Sequence, residues 1–200
     1  MTMIPLFNTN GVSTCPLGMP MSQNRLAVPF WSYAMEMLPP KRIIELGTGD
    51  GGLATALGLH ARIIGATVVT YDRARPNERI APTGRLLGVD FRTVADLWKH
   101  ETEIAKMIAA PGRTFMLCDG GDKPRELAAF ARYLKPGDVI AAHDYDADHV
   151  RDPASPMETR SWPWSEITAA QGAAVAAEHG LAPFLQTHFD HVGWLAFQKR

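Results

Sequence analysis

Acidic and imidazole side chains directly follow two segments that predict buried strands. The nearly continuous apolar run Thr114–Asp119 ends on an acid, and Val139–Ala142 leads straight into His143 and Asp144. Ligands of an open α/β sheet bind outside the carboxyl ends of its strands, so these side chains are expected to meet there. Two carboxylates and an imidazole can hold a divalent cation that keeps open positions for water or substrate oxygens. The pattern therefore predicts a metal site made of Asp119, His143 and Asp144.

The same cluster predicts proton chemistry. A hydroxyl group bound to a metal loses its proton far more readily, and the resulting oxyanion is a nucleophile. His143 is also a candidate general base, because imidazoles exchange protons near neutral pH. An imidazole ligand favours Mn, Fe or Zn over Mg. The alternative interpretation is an acidic sheet edge that caps helices and binds only water.

The segment Lys41–Gly52 predicts a strand, a glycine turn and the start of a helix, which together place backbone N–H groups against a ligand. Three of its glycines satisfy the dinucleotide pattern G-x-G-x-x-G, namely Gly47, Gly49 and Gly52. Asp72 lies at the spacing that this pattern expects of the acid that binds the ribose. Glu45 favours another ligand, because a carboxylate near the strand end repels a pyrophosphate and attracts a cation.

This turn resembles the first motif of class I S-adenosylmethionine (SAM) methyltransferases, over the segment Ile44-Glu45-Leu46-Gly47-Thr48-Gly49-Asp50-Gly51. The resemblance implies a sulfonium cofactor with an amino-acid tail and no phosphate. It also implies that Asp72 accepts hydrogen bonds from the ribose and that Asp96 lies near the adenine. Asp96 could equally cap the next helix. The residues predicted to bind the cofactor are Glu45, Gly47, Thr48, Gly49, Gly51, Gly52, Asp72, Asp96 and Asp119.

Other segments resemble the cephalosporin hydroxylase-like and sugar O-methyltransferase branch of this class, whose layout metal-dependent catechol-type O-methyltransferases share. They are Leu17-Gly-Met-Pro20 with the following helix, Cys118-Asp-Gly-Gly-Asp122 and Leu134–Tyr145. In the catechol-type enzymes a lysine just after the fourth-strand acid is the general base, and the resemblance implies that role for Lys123. Two features depart from that pattern: Lys123 comes one residue late, and His143 replaces an oxygen ligand.

The order of the predicted elements favours an α/β, Rossmann-like class I methyltransferase fold. We expect a seven-stranded, mostly parallel sheet in the order 3-2-1-4-5-7-6, with helices on both faces and an antiparallel last strand. The length of 200 residues suits one domain with a single core. Its parts are an N-terminal arm and helix (1–40), a cofactor-binding core (41–145), a lid-like loop (146–164), and a terminal helix and β-hairpin (165–200).

The N-terminal helix, the closing hairpin and the loop before the last helix are predicted from periodicity and length. Apolar residues at three- and four-residue steps predict a helix over Gln23–Leu38. The closing hairpin is predicted to pair Phe184–Phe189 with Gly193–Gln198. The loop 146–164 is long enough to act as a lid, with Trp162 and Trp164 closing over a substrate.

Composition argues against several classes of protein. A formal net charge of -1 does not suit a surface that coats nucleic acid. No apolar run approaches a membrane span, and no Lys or Arg precedes Arg25, so neither a membrane anchor nor a secretory signal is expected. Cys15 and Cys118 are expected to be reduced thiols, which predicts a cytoplasmic protein. The expected partner is a small-molecule substrate, and a homo-oligomer is left open.

These features favour SAM-dependent methylation of a small-molecule hydroxyl, assisted by a divalent metal such as Mg or Mn. The alternatives are an NAD(P)-binding oxidoreductase and a non-catalytic SAM-binding module. The sequence has neither the Tyr-x-x-x-Lys pair of a short-chain dehydrogenase nor a G-x-S-x-G elbow. The methyl acceptor is not specified by the sequence: a sugar, a catechol and another natural product are all open.

Overall fold

Seven strands of one sheet and seven α-helices account for most of the described chain. The computed structural model describes residues 13–14, 17–24, 26–145 and 166–200. The strands are β1 Arg42–Leu46, β2 Thr67–Asp72, β3 Val89–Thr93, β4 Thr114–Cys118, β5 Val139–His143, β6 Leu181–Pro183 and β7 Trp194–Lys199. The helices are α1 Ala27–Met37, α2 Gly52–Ile64, α3 Ala81–Leu86, α4 Glu101–Ala109, α5 Lys123–Ala131, α6 Ala169–His179 and α7 Gln186–Asp190.

A short ribbon lies outside the main sheet. A two-residue ribbon pairs Ser13–Thr14 with Pro20–Met21. The predicted lid, with Trp162 and Trp164, lies outside the described residues, as does Cys15. None of the described helices is long and apolar enough to cross a membrane.

The main sheet has the predicted strand order. Its strands run β3-β2-β1-β4-β5-β7-β6. Strands β1 to β5 are parallel, whereas β7 is antiparallel to both of its neighbours. The register sets Glu45 of β1 beside Thr70 of β2 and Leu117 of β4. At the end of β5, His143 pairs with Trp194 of β7. The Rossmann-like α/β fold with an antiparallel last strand is therefore confirmed.

Helices cover both faces of this sheet, because alternate residues of the central strands are buried on opposite sides. Ile43 and Phe115 belong to a core shared with α1, α2 and α7. Ile44 and Met116 belong to a second core shared with α4, α5 and α6. Cys118 is a free thiol buried in this second core. With both faces covered, the carboxyl ends of the parallel strands remain as the place for polar side chains and ligands.

The starts of three helices are set by side chains that precede them. The helix expected over Gln23–Leu38 begins at Ala27, because Asn24 turns the chain and accepts a 2.9 Å hydrogen bond from the Leu26 N–H. The helix that Asp96 could cap begins as a 3-10 turn, Leu97–His100, which is followed by α4. Helix α6 begins after Thr168, whose side chain forms a capping box with Gln171.

The C-terminal hairpin differs from the prediction over Phe184–Phe189. Leu185 takes a left-handed backbone conformation, with φ of 48°, which turns the chain out of β6. Gln186 then begins α7, and its side chain donates a 2.5 Å hydrogen bond to Asp190 within that helix. Phe189 is consequently a buried residue of a helix and does not belong to a strand. The predicted strand was wrong, whereas the antiparallel pairing of the last two strands is confirmed.

Two glycines of the turn after β1 are required by close packing. Gly47 has φ of 88°, and a Cβ there would lie 1.9 Å from the backbone oxygen of Asp119. A Cβ on Gly52 would lie 2.2 Å from the backbone oxygen of Pro20. The glycine turn is thus in direct backbone contact with the end of β4 on one side and with the N-terminal segment on the other.

We expect Gly47→Ala to destabilise the fold much more than Gly65→Ala. Both glycines have positive φ, but an added Cβ at Gly65 meets nothing within 4 Å. Gly65→Ala should therefore lower the free energy of unfolding by about 1–2 kcal/mol, which is the strain of the left-handed conformation. Gly47→Ala should lower it by at least about 3 kcal/mol, because a backbone clash adds to this strain. Equal losses in urea unfolding would contradict the proposed contact.

Candidate active site

A cavity of about 540 Å³ lies at the carboxyl ends of the parallel strands. The strand order sets Asp72 on one side of the glycine turn, and Asp119 with His143 on the other. Nearly all of the side chains that the sequence predicts for a site are therefore brought together. Those that line the cavity are Glu45, Gly47, Thr48, Gly49, Gly51, Gly52, Asp72, Asp119, His143 and Asp144.

Glu45 lies at the bottom of this cavity and is fully buried. Its Oε2 accepts a 2.5 Å hydrogen bond from the hydroxyl of Thr70, whose oxygen lies 2.7 Å from that of Thr48. Burial raises the pKa of Glu45 to about 8, against the hydrogen bond from Thr70, and the charges of Asp119 and Asp72 add to the increase. Burial therefore keeps Glu45 protonated at neutral pH, and a cation beside it would favour its ionised form.

Asp72 supports the glycine turn from the end of β2. Its Oδ2 accepts a 2.8 Å hydrogen bond from the backbone N–H of Gly49, and its Oδ1 accepts one of 2.9 Å from that of Ala74. Each carboxylate oxygen can accept a second hydrogen bond. Asp72 is therefore fixed in orientation and still able to accept from a diol in the cavity.

Asp96 caps the next helical turn, which was the alternative to a place near the adenine. Its carboxylate accepts a 3.0 Å hydrogen bond from the N–H of Trp98 and caps the 3-10 turn, and it does not line the cavity. Trp98 lines the cavity instead, with the guanidinium of Arg125 3.8 Å from the centre of its ring. These two flat groups, which the sequence analysis did not identify, form the wall beyond Asp72.

Asp119, His143 and Asp144 meet at the other end of the cavity. They follow adjacent strands, and one potential ligand atom from each lies within 4.8 Å of the others. The Nδ1 atom of His143 is 3.1 Å from Asp119 Oδ1 and 3.3 Å from Asp144 Oδ1. Asp144 has a left-handed φ of 57°, which is uncommon outside glycine. The predicted cluster is thus assembled in space.

Lys123 places a positive charge beside this cluster. Its Nζ is 2.7 Å from Asp144 Oδ2, 2.8 Å from Glu166 Oε2 and 3.7 Å from Asp119 Oδ1. Burial alone would lower the pKa of Lys123, but the charge of Asp119 and the contacts with Asp144 and Glu166 raise it above its ordinary value. Lys123 is therefore a charged ammonium in this arrangement. Glu166, which the sequence analysis missed, belongs to the described segment 166–200.

Glu126 holds the loop that joins Asp119 to α5. Its carboxylate accepts hydrogen bonds from the backbone N–H groups of Gly120 and Asp122, at 3.1 and 3.3 Å. Burial raises the pKa of Glu126 to about 7, although those two hydrogen bonds oppose the increase. The acid in the first turn of a predicted helix was the available signal for this role. Gln23, which donates to Asp119 from the N-terminal segment, gave no such signal.

Glu45→Gln is expected to remove a pH dependence of stability. The ordinary pKa of this carboxyl is 4.5 and its folded pKa is about 8, so between these values the folded chain holds a proton that the unfolded chain releases. The contribution of Glu45 to the free energy of unfolding is fully present below about pH 4.5. It falls as pH rises toward 8, by up to about 1.4 kcal/mol per pH unit.

Chemical unfolding from pH 5 to 8.5 measures this effect. The variant should lose little at pH 5 and be more stable than the wild type at pH 8.5. The same change at exposed Glu36 is the control and should leave the profile unaltered. A Glu45→Gln profile parallel to that of the wild type would refute the buried, protonated carboxyl.

Solved structures with this fold include methyltransferases. CmcI, in a structure described as "Mg-SAM", is 16% identical with a TM-score of 0.61, and the match covers 92% of this chain and 75% of that one. An O-methyltransferase family protein from Burkholderia thailandensis is 15% identical with a TM-score of 0.52 and shares 88% of this chain and 56% of its own. The SAM-dependent methyltransferase SibL in its apo form is 17% identical with a TM-score of 0.53, and the match covers 88% of this chain and 55% of that one.

The chain therefore spans little more than half of the last two proteins. At these identities the likeness shows the fold alone. None of the curated proteins compared with the chain matches it. A family profile described as a methyltransferase domain matches residues 25–188, which include the glycine turn and the Asp119 cluster. On this match over most of its length, the chain belongs to the family of methyltransferase domains, whose methyl donor is SAM.

Proposed function

We propose that this protein transfers the methyl group of SAM to a hydroxyl of a small molecule, with a divalent cation held by Asp119, His143 and Asp144. The observation that carries the proposal is the cluster itself, at the opposite end of the cavity from Asp72. The cavity volume of about 540 Å³ is in the range of small-molecule sites. The O-methyltransferase relatives of the same fold agree with a hydroxyl acceptor.

The cofactor end of the cavity suits SAM. When bound, SAM supplies a methyl group on a positively charged sulfonium and carries a ribose and an amino-acid tail. Asp72 would accept from the ribose hydroxyls, and the wall of Trp98 and Arg125 would cover the adenine face. Glu45, which burial keeps protonated, would ionise beside the positive charges of SAM. A pyrophosphate in place of these groups would instead meet the carboxylates of Asp72 and Asp119 and the buried carboxyl of Glu45.

The donor set of the cluster fits a divalent cation. Three carboxylates, those of Asp119, Asp144 and Glu166, lie around the single ammonium of Lys123, which leaves an excess of negative charge. Carboxylate oxygens with one imidazole suit Mn more than Mg. When bound, the cation would lower the pKa of an acceptor hydroxyl.

The proton of the acceptor goes to a group other than Lys123 in this proposal. A charged ammonium with raised pKa cannot accept a proton, so Lys123 instead balances the carboxylates and keeps Asp144 in place. His143 is the remaining imidazole at the cluster. Without a cation, His143 would accept this proton; with a cation, His143 would be one of its ligands and the proton would be released to solvent.

S-adenosylhomocysteine (SAH) should raise the melting temperature and NADH should not. A ligand at 100 times its Kd stabilises the native state by about 2.7 kcal/mol, or roughly 5–10 °C for a chain of this size. A thermal-shift measurement with both ligands decides between the methyltransferase and the oxidoreductase. Stabilisation by NADH alone would overturn the cofactor assignment. Stabilisation by SAH without transfer to any acceptor in a panel of sugars and catechols would favour a binding module.

Asp144→Asn should reduce turnover by at least about 100-fold and change SAH affinity less than twofold, because Asp144 is predicted to bind the cation and not the cofactor. EDTA should abolish the activity of the wild type, and Mn²⁺ should restore it. Radiolabelled methyl transfer and calorimetry with SAH give the two quantities. Asp90→Asn, the same change at an exposed site on β3, is the control for activity. Full activity in EDTA would remove the metal from the proposal.

A further inference from the structure

Gln23 contacts the cluster although it comes from outside the sheet. It precedes α1, its side chain is buried with 3% exposure, and it lines the cavity. Its Nε2 donates a 2.5 Å hydrogen bond to Asp119 Oδ2 and lies 3.3 Å from His143 Nδ1. A buried amide at this distance restrains the rotation of the carboxylate that it contacts.

The orientation of this amide is fixed by Trp194. The indole N–H of Trp194 donates a 3.0 Å hydrogen bond to Gln23 Oε1. An indole N–H is a donor only, so the amide oxygen must face Trp194 and the amide nitrogen must face Asp119. Trp194 is itself buried and tilts against the His143 ring, at 4.9 Å between ring centres. The chain Trp194–Gln23–Asp119 therefore has one direction of donation.

The two oxygens of Asp119 consequently have different surroundings. Oδ2 accepts from Gln23, whereas Oδ1 faces His143 Nδ1 at 3.1 Å and Lys123 Nζ at 3.7 Å. If Asp119 rotated about its side-chain torsion, it would lose the Gln23 hydrogen bond. The amide thus selects the rotamer in which one oxygen points into the cluster.

We propose that Gln23 is a positioning residue of the reaction: held by Trp194, it fixes the Asp119 carboxylate so that Oδ1 faces the site of the cation and the acceptor. The inference rests on the proposed function and adds a residue from the N-terminal segment to it. A purely structural role would instead be to fasten that segment to the rest of the fold. Asn24 already does so, since its side chain donates to the carbonyl of His191, just after α7, at 3.3 Å, and its oxygen accepts from the Leu26 N–H.

Gln23→Met tests the proposal, because methionine keeps the length of the side chain and removes the donor. We expect the variant to bind Mn²⁺ about 10- to 100-fold more weakly, as outer partners of metal ligands do when removed. Its affinity for SAH should change less than twofold. In a crystal structure of the variant with SAH, the Asp119 carboxylate should have rotated away from the 3.1 Å contact with His143.

Two further variants separate positioning from a loss of stability. Trp194→Phe keeps an aromatic ring but no donor and should weaken Mn²⁺ binding in the same direction. The double variant should be hardly weaker than Gln23→Met alone, since both changes act through one hydrogen bond. Asn24→Ala, which loosens the same segment outside the cluster, should lower the melting temperature and leave Mn²⁺ affinity within twofold of the wild type.

Each result has a definite meaning. Wild-type affinity for Mn²⁺ in Gln23→Met, or an equal loss in Asn24→Ala, would overturn the positioning role. If the wild type binds SAH but no Mn²⁺, the metal in the proposed function fails, and the crystal structure alone decides on Gln23. An Asp119 carboxylate that keeps its contact with His143 in Gln23→Met would then overturn the inference.

Discussion

Burial of negative charge at the carboxyl edge of the sheet is the constraint on which this site depends. Carboxylates removed from water are destabilising unless they are protonated or paired. Glu45 takes the first solution, since burial raises its pKa to about 8. Asp119 and Asp144 take the second, because the ammonium of Lys123 lies between them. Protonation of Glu45 and the ammonium of Lys123 together reduce the negative charge at this edge of the sheet.

The first turn of α5 supplies most of that compensation. Asp122 caps the helix by accepting from the N–H of Arg125, and Pro124 suits the first turn, where its missing N–H is no loss. Lys123 and Glu126 then leave the same turn in different directions, one to the carboxylates and the other to the loop backbone. One helical turn therefore fixes both the loop that carries Asp119 and the charge opposite it.

The sequence was most informative where local chemistry and strand order act together. The apolar strands that end in Asp119 and His143, and the glycine turn, were predicted because their residue types impose a conformation by themselves. Gln23 and Glu166 could not be predicted. Gln23 is 96 residues from Asp119 and Glu166 is 43 from Lys123, so only tertiary packing brings these pairs together. The same limit explains α7, where a left-handed Leu185 overrides an alternation typical of a strand.

The contact between Gly52 and the backbone of Pro20 joins the glycine turn of the sheet to the N-terminal segment. Residue 52 begins α2 directly after the glycine turn, whereas Pro20 belongs to the segment that includes Gln23. Because Met21, Ser22 and Gln23 line the same cavity as the turn, a ligand bound there would contact both parts of the chain. A ligand bound in the cavity should therefore protect residues 17–24 from proteases. By reciprocity, cleavage within these residues should lower the affinity for that ligand.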